Sequence, residues 1–434
     1  MFNQTAELLP RILTHRLPLS GRPQGLDAGE NIVYPNYDGL SLINIPAAIC
    51  GWLGVPPIGA PGLLAEATQP HDRIFRRVVL LVVDGMGLNT LQAAFESAVD
   101  QPDLAVWGAF DAVVPLTSIT PSTTAAALTS LWTGLPPSRH GVMAYEVWLK
   151  EYGLIANLIR HAPVGITWEP GSLAKSGFDP LSFLPVPTLG PHLQHHGIHT
   201  TAFQHFSIAR SGLSNMLMRD VDIKPFRSLS DLWVSLEALL AANTDERAYT
   251  YIYWGDLDEH SHLFGPDDPR TALEFAAFSR QFAAFLRRLR AQSASQDTLL
   301  LVTADHGHLS TPRQSHYELR NHPDLRDCLV MYPSGEARLP FAYLRPGREE
   351  AFLRYIERTW PDEFIAVSSD QALQAGWFGG PPFYERVPDR IGDFIVVPRS
   401  DAYWFFGDRE NVLQGRHGGM SRTEMLVPLL SMVL

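Results

Sequence analysis

Three short apolar runs, each ending in an acidic residue, constrain this chain more than any other feature. RRVVLLVVDGMG closes on Asp84, AYTYIYWGDLDEH on Asp256 and Asp258, and TLLLVTADHGH on Asp305 and His306. An unbroken apolar run of this length suits a strand covered on both faces, as in a parallel sheet between helix layers. Ligands of such sheets bind outside the carboxyl ends of the strands. The expected fold is α/β, with a mostly parallel central sheet flanked by helices on both faces.

Helices are legible between the runs. DDPRTALEFAAFSRQFAAFLRRLR opens with Asp268 as N-cap and Pro269 at the first helical position. Phe275, Phe278, Phe282, Phe285 and Leu289 then recur at helical spacing, a stripe that reads as core packing. LGPHLQHHGIHTTAFQ reads as helix, stop at Gly197, then strand. Over residues 311–410 prolines and glycines become frequent around one helix, REEAFLRYIERTW, and one strand, IGDFIVVP. The expected organisation is an extended or poorly ordered N-terminal arm (1–40), the first part of a core (41–310), a smaller α+β cap or insert (311–410), and a return to the core (411–434).

Composition narrows the function. With 46 acidic and 34 basic residues the formal charge is −12, a sign that argues against a general binder of nucleic-acid polymers, which would show a basic stripe. Cys50 and Cys328 cannot build a disulfide framework, and no CxxC is present to bind zinc. Arg11, His15 and Arg16 interrupt the stretch where an export signal would need an apolar core. The longest apolar run, Val78–Val83, falls far short of the roughly 18 residues of a spanning helix. A cytoplasmic protein without a membrane segment is expected. Against this background 16 histidines are conspicuous.

Carboxylates at strand ends are often mere turn formers or caps. Here they come with imidazoles: Asp305 with His306, Asp258 with His262 one helical turn later, and His417 beside a glycine pair in GRHGG. Carboxylate and imidazole are ligands for zinc or manganese, and the set supplies six or seven N/O donors without sulfur, enough for two ions. Within GDLDEHSH the choice among Asp256, Asp258, His260 and His262 stays open at this point. In ITPSTTAAALTSLWTG, Ser122 and Thr123 read first as N-caps of an Ala/Leu-rich helix. A hydroxyl there also faces free N–H groups and the positive end of the helix dipole, which suits a phosphoryl group. Beside a divalent ion, a threonine alkoxide becomes accessible near neutral pH.

The order Asp84 (LLVVDGMG), Thr124 (PSTTAAALTSLWTGLPPSRHG), Asp258-x-x-x-His262 followed by LFGP, TADHG at Asp305-His306, and His417-Gly418 resembles the alkaline phosphatase superfamily, in particular its type I phosphodiesterase/nucleotide pyrophosphatase branch. The resemblance covers roughly 75–310 and 411–434. It implies an alkaline-phosphatase-like fold and two divalent ions, usually zinc, with manganese an alternative. One ion would be held by Asp84, Asp305, His306 and the nucleophile Thr124, the other by Asp258, His262 and His417. Asp256 and His260 become supporting or surface residues. The implied reaction is hydrolysis of a small phosphodiester or nucleotide pyrophosphate through a covalent phosphothreonine.

One departure bears on substrate. Nucleotide pyrophosphatases carry an asparagine three residues after the nucleophile, and this chain has Ala127. Loss of a donor aimed at developing charge costs about 10²–10³ in rate in other enzymes. A phosphonate hydrolase or phosphomonoesterase would use the same ligands, and a phosphomutase or a binding protein that kept the fold are further rivals. No Cys or Ser followed by x-P-x-R is present for a sulfatase, and threonine argues against the serine-dependent alkaline phosphatases and phosphoglycerate mutases. Trp377, Phe378, Phe383, Tyr384, Tyr403, Trp404, Phe405 and Phe406 are candidates to stack on a base or headgroup, with packing inside the insert as the alternative.

Overall fold

A computed structural model describes residues 3–17, 32–167, 169–242, 246–291, 297–407 and 410–434. Its strands, in chain order, are β1 (Arg77–Val83), β2 (Ala112–Thr117), β3 (Glu146–Leu149), β4 (Leu154–Asn157), β5 (Ala162–Pro163), β6 (His199–His205), β7 (Asp222–Phe226), β8 (Ala248–Trp254) and β9 (Thr298–Thr303). They continue as β10 (Leu309–Ser310), β11 (Ser334–Glu336), β12 (Leu339–Ala342), β13 (Phe364–Ser368), β14 (Phe394–Pro398), β15 (Gly415–Arg416) and β16 (Leu426–Val433).

Seven strands form the central sheet in the order β2-β16-β9-β1-β8-β6-β7. β1 pairs in parallel with β8 and with β9, while β16 runs antiparallel to β9 and β2. The three apolar runs are therefore adjacent strands at the centre of the sheet, and every residue of them is buried. Their register places Val83 opposite Trp254 and Val82 opposite Thr303. The acidic residues that follow consequently emerge together at one sheet edge.

The expected amphipathic helix is present over Pro269–Arg290, with the Asp268 side chain accepting the Arg270 N–H as its cap. Its phenylalanines meet Trp107, and Phe278 stacks on Trp254 of β8 at 4.1 Å between centroids. Gly197, at φ +72°, ends the helix Leu189–His195 before β6, as the sequence indicates. No helix among the described residues is long and apolar enough to cross a membrane, and Cys50 and Cys328 are free and buried.

The N-terminal arm expected over 1–40 is in part a helix, α1 (Asn3–Thr14). Leu8 and Ile12, one turn apart, are buried, and the Thr5 hydroxyl donates to the Val113 carbonyl on β2. Polar neighbours hide this short apolar stripe in the sequence. Residues 18–31 of the arm lie outside the described residues. From Val33 onward the chain packs into the core, the Val33 N–H donating to Met420.

A second, antiparallel sheet has the order β13-β14-β12-β11-β3-β4-β5. It joins residues on both sides of the boundary expected at 311, because Gly335 of β11 pairs with Glu146 of β3. The aromatic residues expected to line the insert pack inward. Trp377, Phe378, Tyr403 and Trp404 are buried in core clusters, which removes them as stacking surfaces; Phe383, Tyr384, Phe405 and Phe406 are partly buried against the same clusters.

Candidate metal centre

Each acidic strand end delivers its side chain through a short turn. Asp84 follows β1 directly, its N–H extending the ladder to the Trp254 carbonyl. Asp258 lies in the first turn of α2 (Asp256–Phe264), with His262 one turn on. Asp305 and His306 follow β9. The loop carrying His417 is tied to this edge by the two-stranded ladder of β10 and β15, in which Leu309 pairs with Arg416. Gly418, at φ +108°, lets the backbone pass Glu336: a Cβ there would lie 2.6 Å from that side chain.

Two adjacent donor sets result. In the first, Nε2 of His306 is 3.2 Å from the Thr124 hydroxyl and 3.4 Å from both Oδ1 of Asp84 and Oδ2 of Asp305. Thr124 is the first residue of α3 (Thr124–Thr133). Asp305 Oδ1 accepts the N–H groups of Gly85 and His306, and Asp84 Oδ2 accepts the Tyr253 hydroxyl. The remaining carboxylate oxygens, Asp84 Oδ1 and Asp305 Oδ2, are buried without a hydrogen-bond partner. In the second set, Oδ1 of Asp258 lies 3.6 Å from Nε2 of His262 and 3.8 Å from Nε2 of His417, and these two nitrogens are 3.1 Å apart.

The electrostatics call for a cation. Two buried carboxylates, Asp84 and Asp305, converge with the partly buried Asp258, and their ionic partners among the described residues are all histidines. Burial, reinforced by the Asp258 and Asp305 charges, holds the Asp84 carboxyl well above the usual range. Burial also presses on Asp258, yet His262, His308 and His417 outweigh it and hold that carboxyl well below its usual value. Burial lowers His262 to about 4, which leaves its imidazole neutral at pH 7, the state a metal ligand requires, and burial likewise holds His417 well below its ordinary value. Unpaired buried carboxylates cost several kcal/mol each, and a divalent cation offsets that cost. Hard oxygens and borderline nitrogens without sulfur fit zinc or manganese.

The sequence candidates fare as follows. Asp84, Thr124, Asp305 and His306 come together, as do Asp258, His262 and His417. Asp256 and His260 stay out: the His260 ring bonds the Asp256 carbonyl through Nδ1, 2.7 Å away. Ser122 and Thr123 do not cap the helix through their side chains, contrary to the first reading. The Ser122 hydroxyl donates to the Gly419 carbonyl, Thr123 occupies the cap position without a side-chain cap bond, and its hydroxyl meets Glu336. Glu336 is buried there, its carboxyl pushed up to about 8 by burial.

A family model for type I phosphodiesterase/nucleotide pyrophosphatase matches residues 78–420, nearly four-fifths of the chain and all seven of these positions. The chain belongs to the type I phosphodiesterase/nucleotide pyrophosphatase family. It is accordingly a hydrolase of the phosphodiesterase/nucleotide pyrophosphatase type. No curated protein sequence matches it significantly. Among solved structures, murine ectonucleotide pyrophosphatase/phosphodiesterase 5 is similar with a TM-score of 0.59 and 15% identity, over 82% of this chain and 87% of that one. Phosphonoacetate hydrolase from Sinorhizobium meliloti, in complex with phosphonoformate, is similar with a TM-score of 0.57 and 18% identity, over 81% and 89%. At such identities these likenesses speak for the alkaline-phosphatase-like fold.

Two residues of this phosphodiesterase-family site escape the sequence reading. Tyr253, inside β8, reads as one more apolar strand residue; its hydroxyl reaches Asp84 because β8 neighbours β1. His308, two residues beyond His306, joins Asp258, His262 and His417 in a group able to hold a metal ion. The second histidine of D-H-G-H was its signal.

Proposed function

We propose that this chain hydrolyses phosphate esters, with phosphodiester or nucleotide pyrophosphate bonds as its substrates, through a covalent phosphothreonine on Thr124 and with two divalent ions, zinc the first choice. The observation that carries the reading is the position of the Thr124 hydroxyl: at a helix N-terminus, 3.2 Å from His306 Nε2, beside unpartnered oxygens of Asp84 and Asp305. Asp84, Asp305, His306 and Thr124 would hold one ion, and Asp258, His262 and His417 the other. When bound, the ions supply Lewis-acid charge at phosphorus and ease deprotonation of the threonine hydroxyl.

The chain's own groups then divide the work. Thr124 Oγ attacks phosphorus as the bond to the leaving oxygen breaks opposite; water later attacks the phosphothreonine, releasing the phosphoryl product and restoring Thr124. The first turn of α3 directs backbone N–H groups toward the phosphoryl oxygens. The carbonyls of Ser122 and Gly415 accept from Nδ1 of His417 and His262, at 3.0 and 2.9 Å, and so hold Nε2 of both rings toward the centre. A threonine-to-alanine variant of the murine relative is described as inactive and in complex with AMP, which supports both the nucleophile and the substrate class.

Phosphonate hydrolysis is the second reading, favoured by Ala127 and by the likeness to phosphonoacetate hydrolase. A panel of bis-p-nitrophenyl phosphate, p-nitrophenyl phosphate and phosphonoacetate ranks the alternatives. The diester should turn over fastest, and EDTA should stop it. Hydrolysis that survives EDTA refutes the scheme, and phosphonoacetate as the best substrate selects the second reading.

A further inference from the structure

We propose that His308 is a positioning residue: its Nε2–H donates to Asp258 and fixes the carboxylate in the orientation that the second donor set needs, without itself ligating the ion. The proposal rests on the two-metal reading above. His308 is a member of the close Asp258/His262/His417 group, its side chain is 1% exposed, and it offers one nitrogen, Nε2, to the cluster. Ligand or hydrogen-bond donor are the two roles open to that nitrogen.

Distances separate them. Ligand atoms about 2.0–2.1 Å from a tetrahedral zinc ion lie about 3.3 Å apart. The pairs His262–His417, Asp258–His262 and Asp258–His417, at 3.1, 3.6 and 3.8 Å, bracket that spacing. His308 Nε2 to Asp258 Oδ1 is 2.6 Å, the length of a charge-assisted hydrogen bond.

The far side of each ring agrees. An imidazole that ligates through one nitrogen almost always donates the other N–H to an acceptor. Nδ1 of His262, His417 and His306 face the carbonyls of Gly415, Ser122 and Gly307 at 2.9, 3.0 and 3.2 Å. Nδ1 of His308 is buried with no partner. Ligation through Nε2 would leave a proton on Nδ1 with nothing to accept it. Donation through Nε2–H leaves only a lone pair there.

The ring is also wedged in place. Gly85, at φ +75°, packs against it so closely that a Cβ would lie 3.0 Å from His308 Cδ2 and 3.4 Å from Asp258 Cβ. The residue after His308 enters the β10–β15 ladder. The consequence for chemistry is an incomplete protein ligand set: Asp258, His262 and His417 leave a position open for substrate, as catalytic zinc sites require.

The test compares wild type with His308→Leu and His308→Gln, since a glutamine amide can still donate to Asp258 and leucine cannot. Two zinc ions per chain are expected in all three. By chelator competition the leucine variant should bind one of its two ions about 10–100-fold less tightly than wild type, and glutamine should recover most of that loss. In zinc-loaded wild type labelled with ¹⁵N-histidine, His308 should show a protonated Nε2 and an unligated Nδ1. Equal weakening by leucine and glutamine, no weakening by either, or a metal-shifted His308 nitrogen overturns the proposal while the two-metal reading stands. A wild-type chain that saturates below two ions overturns both.

Discussion

The Thr124 hydroxyl lies 3.2 Å from Nε2 of His306, although 182 residues separate them. One residue begins a helix and the other follows a central strand, so the contact joins the two elements that the proposed chemistry needs. Thr124→Ala should lower turnover of bis-p-nitrophenyl phosphate by at least about 10³-fold, as loss of a covalent nucleophile does. Metal content, measured by mass spectrometry, should stay near two ions. Thr123→Ala should retain most activity, because its hydroxyl meets Glu336 and not the donor set. Near-normal activity of Thr124→Ala would transfer the nucleophile's role elsewhere.

Tyr253 supports the first donor set from behind. Its hydroxyl donates to Asp84 Oδ2 and leaves Oδ1 facing His306. Tyr253→Phe keeps the ring packed in β8 but frees that oxygen in a buried place. We expect affinity for the ion of the first donor set to fall by about 10-fold or more, as loss of an outer-shell partner does. Circular dichroism should be unchanged. An unaltered zinc affinity would mean that the tyrosine serves the strand alone.

Much of this candidate site was legible because strand ends and clustered donor side chains coincide. β1, β8 and β9 are unbroken apolar runs, so burial on both faces announced the sheet and its acidic edge. What the sequence concealed depends on neighbours brought in by topology. Tyr253 alternates with no polar pattern, and its partner is fixed by the β1–β8 pairing. The second sheet could not be read because β3, with burial alternating along four residues, pairs with β11 nearly 190 residues away. The N-terminal helix has a stripe of two buried residues, too short to stand out from a polar segment.

Glu336 should make the metal-free chain sensitive to alkaline pH. Its folded value is raised to about 8 from 4.5. A carboxyl raised on folding contributes its full stability below the unfolded value, and loses it as pH rises through the folded value. The window is therefore about pH 4.5 to 8. Glu336→Gln cannot ionise and can still accept the Tyr145 N–H that Glu336 accepts at 2.7 Å. In EDTA, urea denaturation should show the variant gaining stability over wild type as pH rises across this window, by a few kcal/mol at pH 8. A constant difference between pH 5 and pH 8 would show that the carboxyl does not titrate there.

Ala127 stands where nucleotide pyrophosphatases carry an asparagine, and the natural experiment is to put that amide back. The structure argues against a gain. Ala127 has no exposed surface, and it lies in the first turns of a helix whose ten residues are all buried. An asparagine there adds an amide to a filled interior, where overpacking costs about 1–3 kcal/mol and an unpaired polar group adds to it. Thr124, by contrast, is 8% exposed, so the proposed nucleophile reaches solvent where residue 127 does not. Ala127→Asn should therefore lower the urea midpoint and leave diester turnover unchanged or reduced. A rise in kcat of about 10-fold or more would show that the amide finds the phosphoryl oxygen, and that the helix moves on substrate binding to admit it.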